Sequence, residues 1–213
     1  MLLISVLSLS AQGTKAPSDT RPESQGKHAP RFTVTFDLAG AVMCAATDWG
    51  QYEIGLKARV HERWYGAVEL GIGCADATDA NTSLHYTTRA PYGRIGCDYN
   101  FLRRTDTGHR LYGGLRVAYS PFAYDISGPD IEDPVWGGNT PFQYTDVKSH
   151  ALWGEAVVGL ETYIWRFVRL GWTVRYRVKC SEKKQDIGHA WYIPGYGKGK
   201  NHFGGTMTIG FEF

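Results

Sequence analysis

The chain has 213 residues, with 23 Lys and Arg against 21 Asp and Glu and a formal net charge of +2, so it lacks the basic stripe that would point to nucleic acid. No run approaches the ~18 apolar residues that a membrane helix requires, and four Cys without a C-x-x-C pair define neither a disulfide-dense scaffold nor a zinc site. The distinctive features are the aromatics, 7 Trp, 13 Tyr and 9 Phe, and the 26 Gly.

Residues 1–11, MLLISVLSLSA, form a short apolar run closing on small residues, as the hydrophobic and cleavage regions of a secretory signal do. Residues 12–30 are rich in Pro, Ser, Lys and Glu with hardly an apolar side chain, which predicts a disordered leader. From there the third unit, 31–213, has a dominant hydrophobic period of two, and Gly recurs inside the alternating runs, which disfavours helix.

Eight extended segments follow in order. The first is RFTVTFDLAGAVMCA, with Phe32, Val34, Phe36 and Leu38 on one face. A polar link near Asp48 leads to QYEIGLKARVH, and the turn ERW to YGAVELGIGC. The fourth, APYGRIGCDYNF, follows a polar stretch; RLYGGLRVAYS and ALWGEAVVGLETYI are the fifth and sixth. After the turn WRF comes VRLGWTVRYRVKC, and TMTIGFEF is the eighth, with Met207, Ile209, Phe211 and Phe213 on one face.

Links alternate in length. The short set is ERW, LRRTDTGH and WRF; the long set spans about 75–88, 121–148 and 181–201. Turns at one rim and loops at the other are the habit of an up-and-down barrel.

In the seventh segment Val168, Leu170, Trp172, Val174, Tyr176 and Val178 share a face, opposite Arg169, Thr173, Arg175, Arg177 and Lys179. A soluble barrel would turn the apolar face inward, and an outer-membrane barrel outward. Three features favour the second. Large aromatics alternate too regularly for a soluble exterior. Trp64, Tyr65, Tyr99, Phe101, Trp165, Phe167, Phe211 and Phe213 fall at the short-turn rim, where an interfacial girdle belongs. The polar faces also carry a near-balanced set, Glu53, Glu69, Asp98, Glu155, Glu161 and Glu212 against Lys57, Arg59, Arg94, Arg116, Arg169, Arg175, Arg177 and Lys179, able to neutralise one another in a narrow lumen.

With its signal-like start, eight alternating strands, sorted loops and final strand ending in Phe, the sequence resembles the small bacterial outer-membrane barrels of the OmpA/OmpX architecture over about residues 31–213. The AQG after the signal and the WYIPGYG loop are similar to barrels of the Bacteroidetes type. The resemblance implies an all-β fold, an eight-stranded antiparallel up-and-down transmembrane barrel with short periplasmic turns and long external loops. It further implies a bacterial outer-membrane location, lipid and lipopolysaccharide as surroundings, and recognition of TMTIGFEF by the barrel-assembly machinery. It leaves the oligomeric state and the activity open.

Among chemistry-bearing residues, Ser83 and His85 lie one residue apart in SLH, on one face if extended, and are candidates for nucleophile and base with Asp48, Asp76 or Asp79 as orienting acid. His150, His189 and His202 share a rim without ligand spacing, and no metal or cofactor is expected. The loop DIGHAWYIPGYGKGKN is the main binding candidate. Trp191, Tyr192, Ile193 and Tyr196 are too apolar for an idle loop, Pro194 with two Gly gives it defined turns, and Lys198 and Lys200 beside them suit lipopolysaccharide phosphates. The same loop could instead close over the barrel mouth as a lid. Cys44, Cys74, Cys97 and Cys180 fall on the apolar parity and read as small lipid-facing side chains, with no pairing assigned.

The expectation is a non-enzymatic barrel for surface binding, adhesion or envelope integrity, with a lumen filled by salt bridges. The alternatives are a membrane-embedded lipid- or lipopolysaccharide-modifying enzyme and a soluble lipocalin-like barrel.

Overall fold

The computed structural model describes residues 32–102, 109–132, 137–183 and 189–213; the expected signal and leader, 1–11 and 12–30, lie outside the described residues. Eight strands close a barrel: β1 (Phe32–Asp37), β2 (Trp49–Arg59), β3 (Trp64–Thr78), β4 (His85–Asn100), β5 (Arg110–Ser127), β8 (Gln143–Trp165), β9 (Val168–Glu182) and β12 (Asn201–Glu212). Each pairs antiparallel with its neighbours in the chain, and β1 meets β12 to complete the ring. Two small hairpins, β6 (Ile131–Glu132) with β7 (Asn139–Thr140) and β10 (Tyr192–Ile193) with β11 (Gly197–Lys198), decorate the loop end.

Strand pleating sends successive side chains to opposite faces, and here the faces are inverted relative to a water-soluble core. Leu70, Ile95, Leu115, Val158, Trp172 and Val174 point outward, with Leu115 68% exposed. Glu69, Arg94, Arg116, Glu155 and Arg175 point inward, with Arg94 only 2% exposed. Toward the loop end the interior changes character. Tyr86, Tyr92, Phe122, Tyr124 and Trp153 pack there into one apolar cluster with Tyr192, Ile193 and Tyr196.

Several expectations need correcting. The first extended segment stops at Asp37, and residues Leu38–Ala46 form helix α1. The alternation through Phe36 stops where an Ala-rich run of good helix formers begins. Thr47 ends the helix in extended conformation, with its N–H and Oγ1 both donating to the Met43 carbonyl. A Cβ on Gly50 would lie 2.2 Å from the Cys44 amide nitrogen, so only glycine lets the helix reach β2 so closely.

The link expected over 75–88 is cut to 79–84, because β3 and β4 pair as far as Thr78 and His85. Tyr65 leaves the expected girdle. It is buried, and its hydroxyl accepts hydrogen bonds from Arg59 Nε and Nη2 at 3.2 and 3.1 Å. Cys44 and Cys74 form a disulfide that ties α1 to β3 across β2, while Cys97 and Cys180 are free and exposed.

Because β1 is short, the ring is incomplete near the loop end. β1 pairs β12 only from Thr208 to Glu212 and pairs β2 only from Ile54 to Ala58. Asn201–Met207 and Trp49–Glu53 thus face each other across a notch that α1 bridges by packing on both strands.

Candidate functional site

The barrel interior is the most constrained chemistry of the molecule. Near the short-turn rim, Lys57 of β2 bonds Glu161 of β8 across the lumen and approaches Asp98 of β4 at 3.5 Å. Arg110 of β5 reaches Glu212 of β12 at 2.9 Å, and Arg169 pairs with the same carboxylate. At mid-height Arg116 holds Asp98 through two bonds of 2.6 and 3.0 Å and Glu69 at 3.2 Å. Arg175 lies between three acids, Glu69 at 2.6 Å, Glu53 at 3.1 Å and Glu155 at 3.4 Å. Arg94 pairs with Glu53 and with Glu155 at 3.0 Å, and Arg177 with Glu155 at 3.4 Å.

Neutral donors complete the set. Tyr92 donates to Glu53 at 2.7 Å and Trp153 Nε1 to Glu155 at 2.7 Å. Buried ions persist only when opposite charges and hydrogen bonds replace water, and here each acid is held from several strands. Arg59 and Lys179 sit at the two ends instead, bonded to Tyr65 and, at 2.6 Å, to Glu182. Arg110 is the buried member that the sequence reading missed.

The loop end is stoppered by the chain itself. Arg94 Nη2 donates to the Gly195 carbonyl at 2.7 Å, and Arg177 Nη1 to the Tyr196 carbonyl at 2.9 Å. Tyr86 donates to the Tyr192 carbonyl at 2.8 Å. Gly195 has φ +78°, and a Cβ there would sit 2.4 Å from Tyr92 Cγ, so the tip lies flat on that ring. Tyr192, Pro194 and Tyr196 are therefore buried inside the mouth; Trp191 and Lys200 remain exposed, and Lys198 is half-buried with its ammonium 3.7 Å from the Trp191 ring.

Glu182 anchors this loop beyond the outward apolar run of β9, which ends at Val178. Its carboxylate takes Lys179 at 2.6 Å, the Ala190 N–H at 3.1 Å and His189 at 3.2 Å. Burial alone would raise the Glu182 carboxyl, but these donors outweigh it and hold it below the ordinary range. A depressed folded value means that the anchor is at full strength above the unfolded range, near pH ~4.3, and is lost as pH falls through the folded value. Amides of residues 189–198 should thus lose hydrogen-exchange protection, corrected for intrinsic rates, below about pH 4. Glu182→Gln should abolish that dependence.

His85 is held by Thr78 at 3.1 Å and Thr87 at 3.0 Å, with Asp76 3.4 Å from Nε2. Ser83, at φ +53°, bonds Asp79 through its amide and does not join the His85 ring. Among the described residues no group of three or more His, Cys, Asp or Glu could hold a metal ion.

A family model described as "Domain of unknown function (DUF6048)" matches residues 1–213. No curated protein matches the sequence. The fold is similar to that of a major outer membrane protein from Thermus thermophilus, with a TM-score of 0.52 at 12% identity, covering 87% of this chain and 100% of that one. The N-terminal β-barrel domain of Pseudomonas aeruginosa OprF gives a TM-score of 0.42 at 12% identity, over 86% and 96% of the two chains. Neisserial surface protein A gives 0.38 at 12%, over 86% and 94%. The first likeness is one of fold, that of an outer-membrane β-barrel.

Proposed function

Since the chain belongs to the DUF6048 family and folds as an outer-membrane-type barrel, we propose that it is an integral protein of a bacterial outer membrane whose closed interior does not conduct. Its loop side serves surface binding, adhesion or envelope integrity. The observation that carries this reading is the inverted polarity: apolar side chains such as Leu115 and Val174 ring the outside while Arg94, Glu155 and Arg175 fill the inside. Exposed apolar surface on that scale needs an apolar solvent. A lipocalin-like barrel needs an apolar cavity, and the middle of this interior offers ion pairs. An eight-stranded interior is just wide enough for side chains to fill, which leaves no room for a water column beside the network.

The test is single Cys placement in a background with Cys97 and Cys180 changed to Ala. Val158→Cys and Val174→Cys should react with a lipid-soluble reagent in intact membranes. Thr173→Cys and Ser120→Cys, both buried inside, should stay unlabelled. Reversed parity, or a protein that stays in the soluble fraction, would sink the reading.

A further inference from the structure

We propose that the notch in the barrel wall beside α1 is a binding site for a lipid head group carrying both a phosphate and an ammonium, of the phosphoethanolamine type. The proposal rests on the membrane reading above and names the ligand class that this reading leaves open.

Where β1 stops, α1 leaves a cavity of about 370 Å³ between itself, β2, the β10–β11 hairpin and the unpaired edge of β12. That is within the size range of small-molecule sites. Its lining is mostly apolar, with the charged groups set on opposite sides. Arg177, Lys198 and His202 lie on the β9–β11–β12 side, and Asp37 on the α1 side. Met43 and Phe203 supply apolar surface, and Phe203 is 74% exposed on the outer face.

Asp37 is the second, independent sign of a ligand. It occupies the N-cap position of α1, where an Asp normally accepts a bond from the first turn, yet it makes no such bond. Its side chain is turned instead toward the notch. Oδ2 accepts from Gln51 Nε2 at 3.2 Å, and Oδ1 is buried without a partner among the described residues. The residue is only 4% exposed. An unpaired buried carboxylate oxygen is costly, and an ammonium donor would satisfy it.

The opposite wall is prepared for an anion. Lys198 is held over the Trp191 ring at 3.7 Å and lies 5.5 Å from the centre of the Trp49 ring, which places its charge at the mouth of the cavity. The Arg177 guanidinium lies across Gly204, so no side chain from that position covers it. A lone phosphate would leave Asp37 Oδ1 unsatisfied, and a lone amine would leave Lys198 without an acid. A zwitterionic head satisfies both.

The acyl chains have a route as well. Asp37 also lines an apolar groove on the outer surface, formed with Phe36, Leu38, Ala41, Tyr52 and Ile54. The head-group cavity and the groove for a chain share this one residue.

The test is native mass spectrometry of the full chain in detergent with dilauroyl phosphatidylethanolamine, dilauroyl phosphatidylglycerol or inorganic phosphate. One phosphatidylethanolamine should be retained per chain, at least fivefold above phosphatidylglycerol. Asp37→Asn should erase that preference, and Lys198→Glu should lower retention of both lipids at least fivefold. Gly205→Leu, at a position where an added Cβ meets nothing closer than 4.0 Å, should block the cavity without touching a charge. Heat-modifiable gel mobility scores folding for each variant. Equal retention of both lipids by the native chain and all variants overturns the site, as does displacement of lipid by phosphate alone. A native chain that holds no lipid while Val174→Cys still labels from the membrane overturns the site and leaves the barrel reading standing. Loss of that labelling as well overturns the reading on which the site rests.

Discussion

Replacing Glu155 with Leu should cost about 3–5 kcal/mol, the range for breaking a buried ionic pair by deleting one partner. The carboxylate takes Arg94 at 3.0 Å, Arg175 at 3.4 Å, Arg177 at 3.4 Å and Trp153 at 2.7 Å, and its removal leaves three guanidinium groups crowded around two remaining acids. The penalty is that of stranded charge, not of lost packing, since Leu restores most of the volume. Urea unfolding of the barrel reconstituted in vesicles, followed by Trp fluorescence, measures it. The double variant Glu155→Leu with Arg177→Met removes a cation whose acid partner is Glu155, and it should recover at least half of the loss. A single-variant loss below about 1 kcal/mol, the level of a solvated surface pair, would show that the interior is wet and screened.

Tyr196→Ala should release the stopper while the barrel stays folded. The ring is fully buried, edge-on to Trp153 at 5.6 Å and to His202 at 4.9 Å. Truncating a buried aromatic costs about 3–5 kcal/mol. The other anchors also belong to the hairpin: the buried Tyr192 and Ile193 side chains, the Tyr192 bond to Gly50, and the Arg94, Arg177 and Tyr86 bonds to its carbonyls. Most of the cost therefore falls on the docked loop. Residues 191–198 should exchange their amides at least a hundredfold faster, while the strand amides keep their protection. Conductance in planar bilayers should stay at baseline, because the ion-pair layers below the stopper still fill the lumen. Channel openings in this variant would mean that the loop, and not the network, closes the interior.

Much of this was legible from period-two alternation. In VRLGWTVRYRVKC every second side chain belongs to one face, and the barrel reads both faces as the alternation separates them. The limits are equally physical. Arg110 has the parity of Arg116 and could have been placed inward; its position at the very start of the strand, beside a polar link, hid it. Tyr65 could have been placed inward, because it adjoins Trp64 in a strand and neighbours must face opposite sides; the bias toward an aromatic girdle hid it. Leu38, the first residue of helix α1, keeps the parity of Phe32, Val34 and Phe36, so a strand reading carried over. The Cys44–Cys74 bond followed that error, because only the helix brings Cys44 over Gly50 to reach Cys74. The docking of this loop depends on partners over a hundred residues away, Gly50 for the Tyr192 hydroxyl and Arg94 for the Gly195 carbonyl, which no local pattern encodes.

The interior charges are unevenly shared among the strands. The buried ions of β9 are Arg169, Arg175 and Arg177, those of β8 are Glu155 and Glu161, and β3 supplies only Glu69. Two of the pairs cross the lumen between strands four steps apart in the ring: Lys57 of β2 to Glu161 of β8, and Arg175 of β9 to Glu69 of β3. Such pairs do not exist in an open sheet, whatever its hydrogen-bonded register. During biogenesis a growing, unclosed barrel must therefore keep its inner face hydrated, and dehydration has to coincide with the meeting of β1 and β12. Ring closure becomes the step at which water leaves and the charges find their partners, and under the membrane reading proposed above insertion then ends in a single cooperative event that gives half-built sheets no resting place in the bilayer.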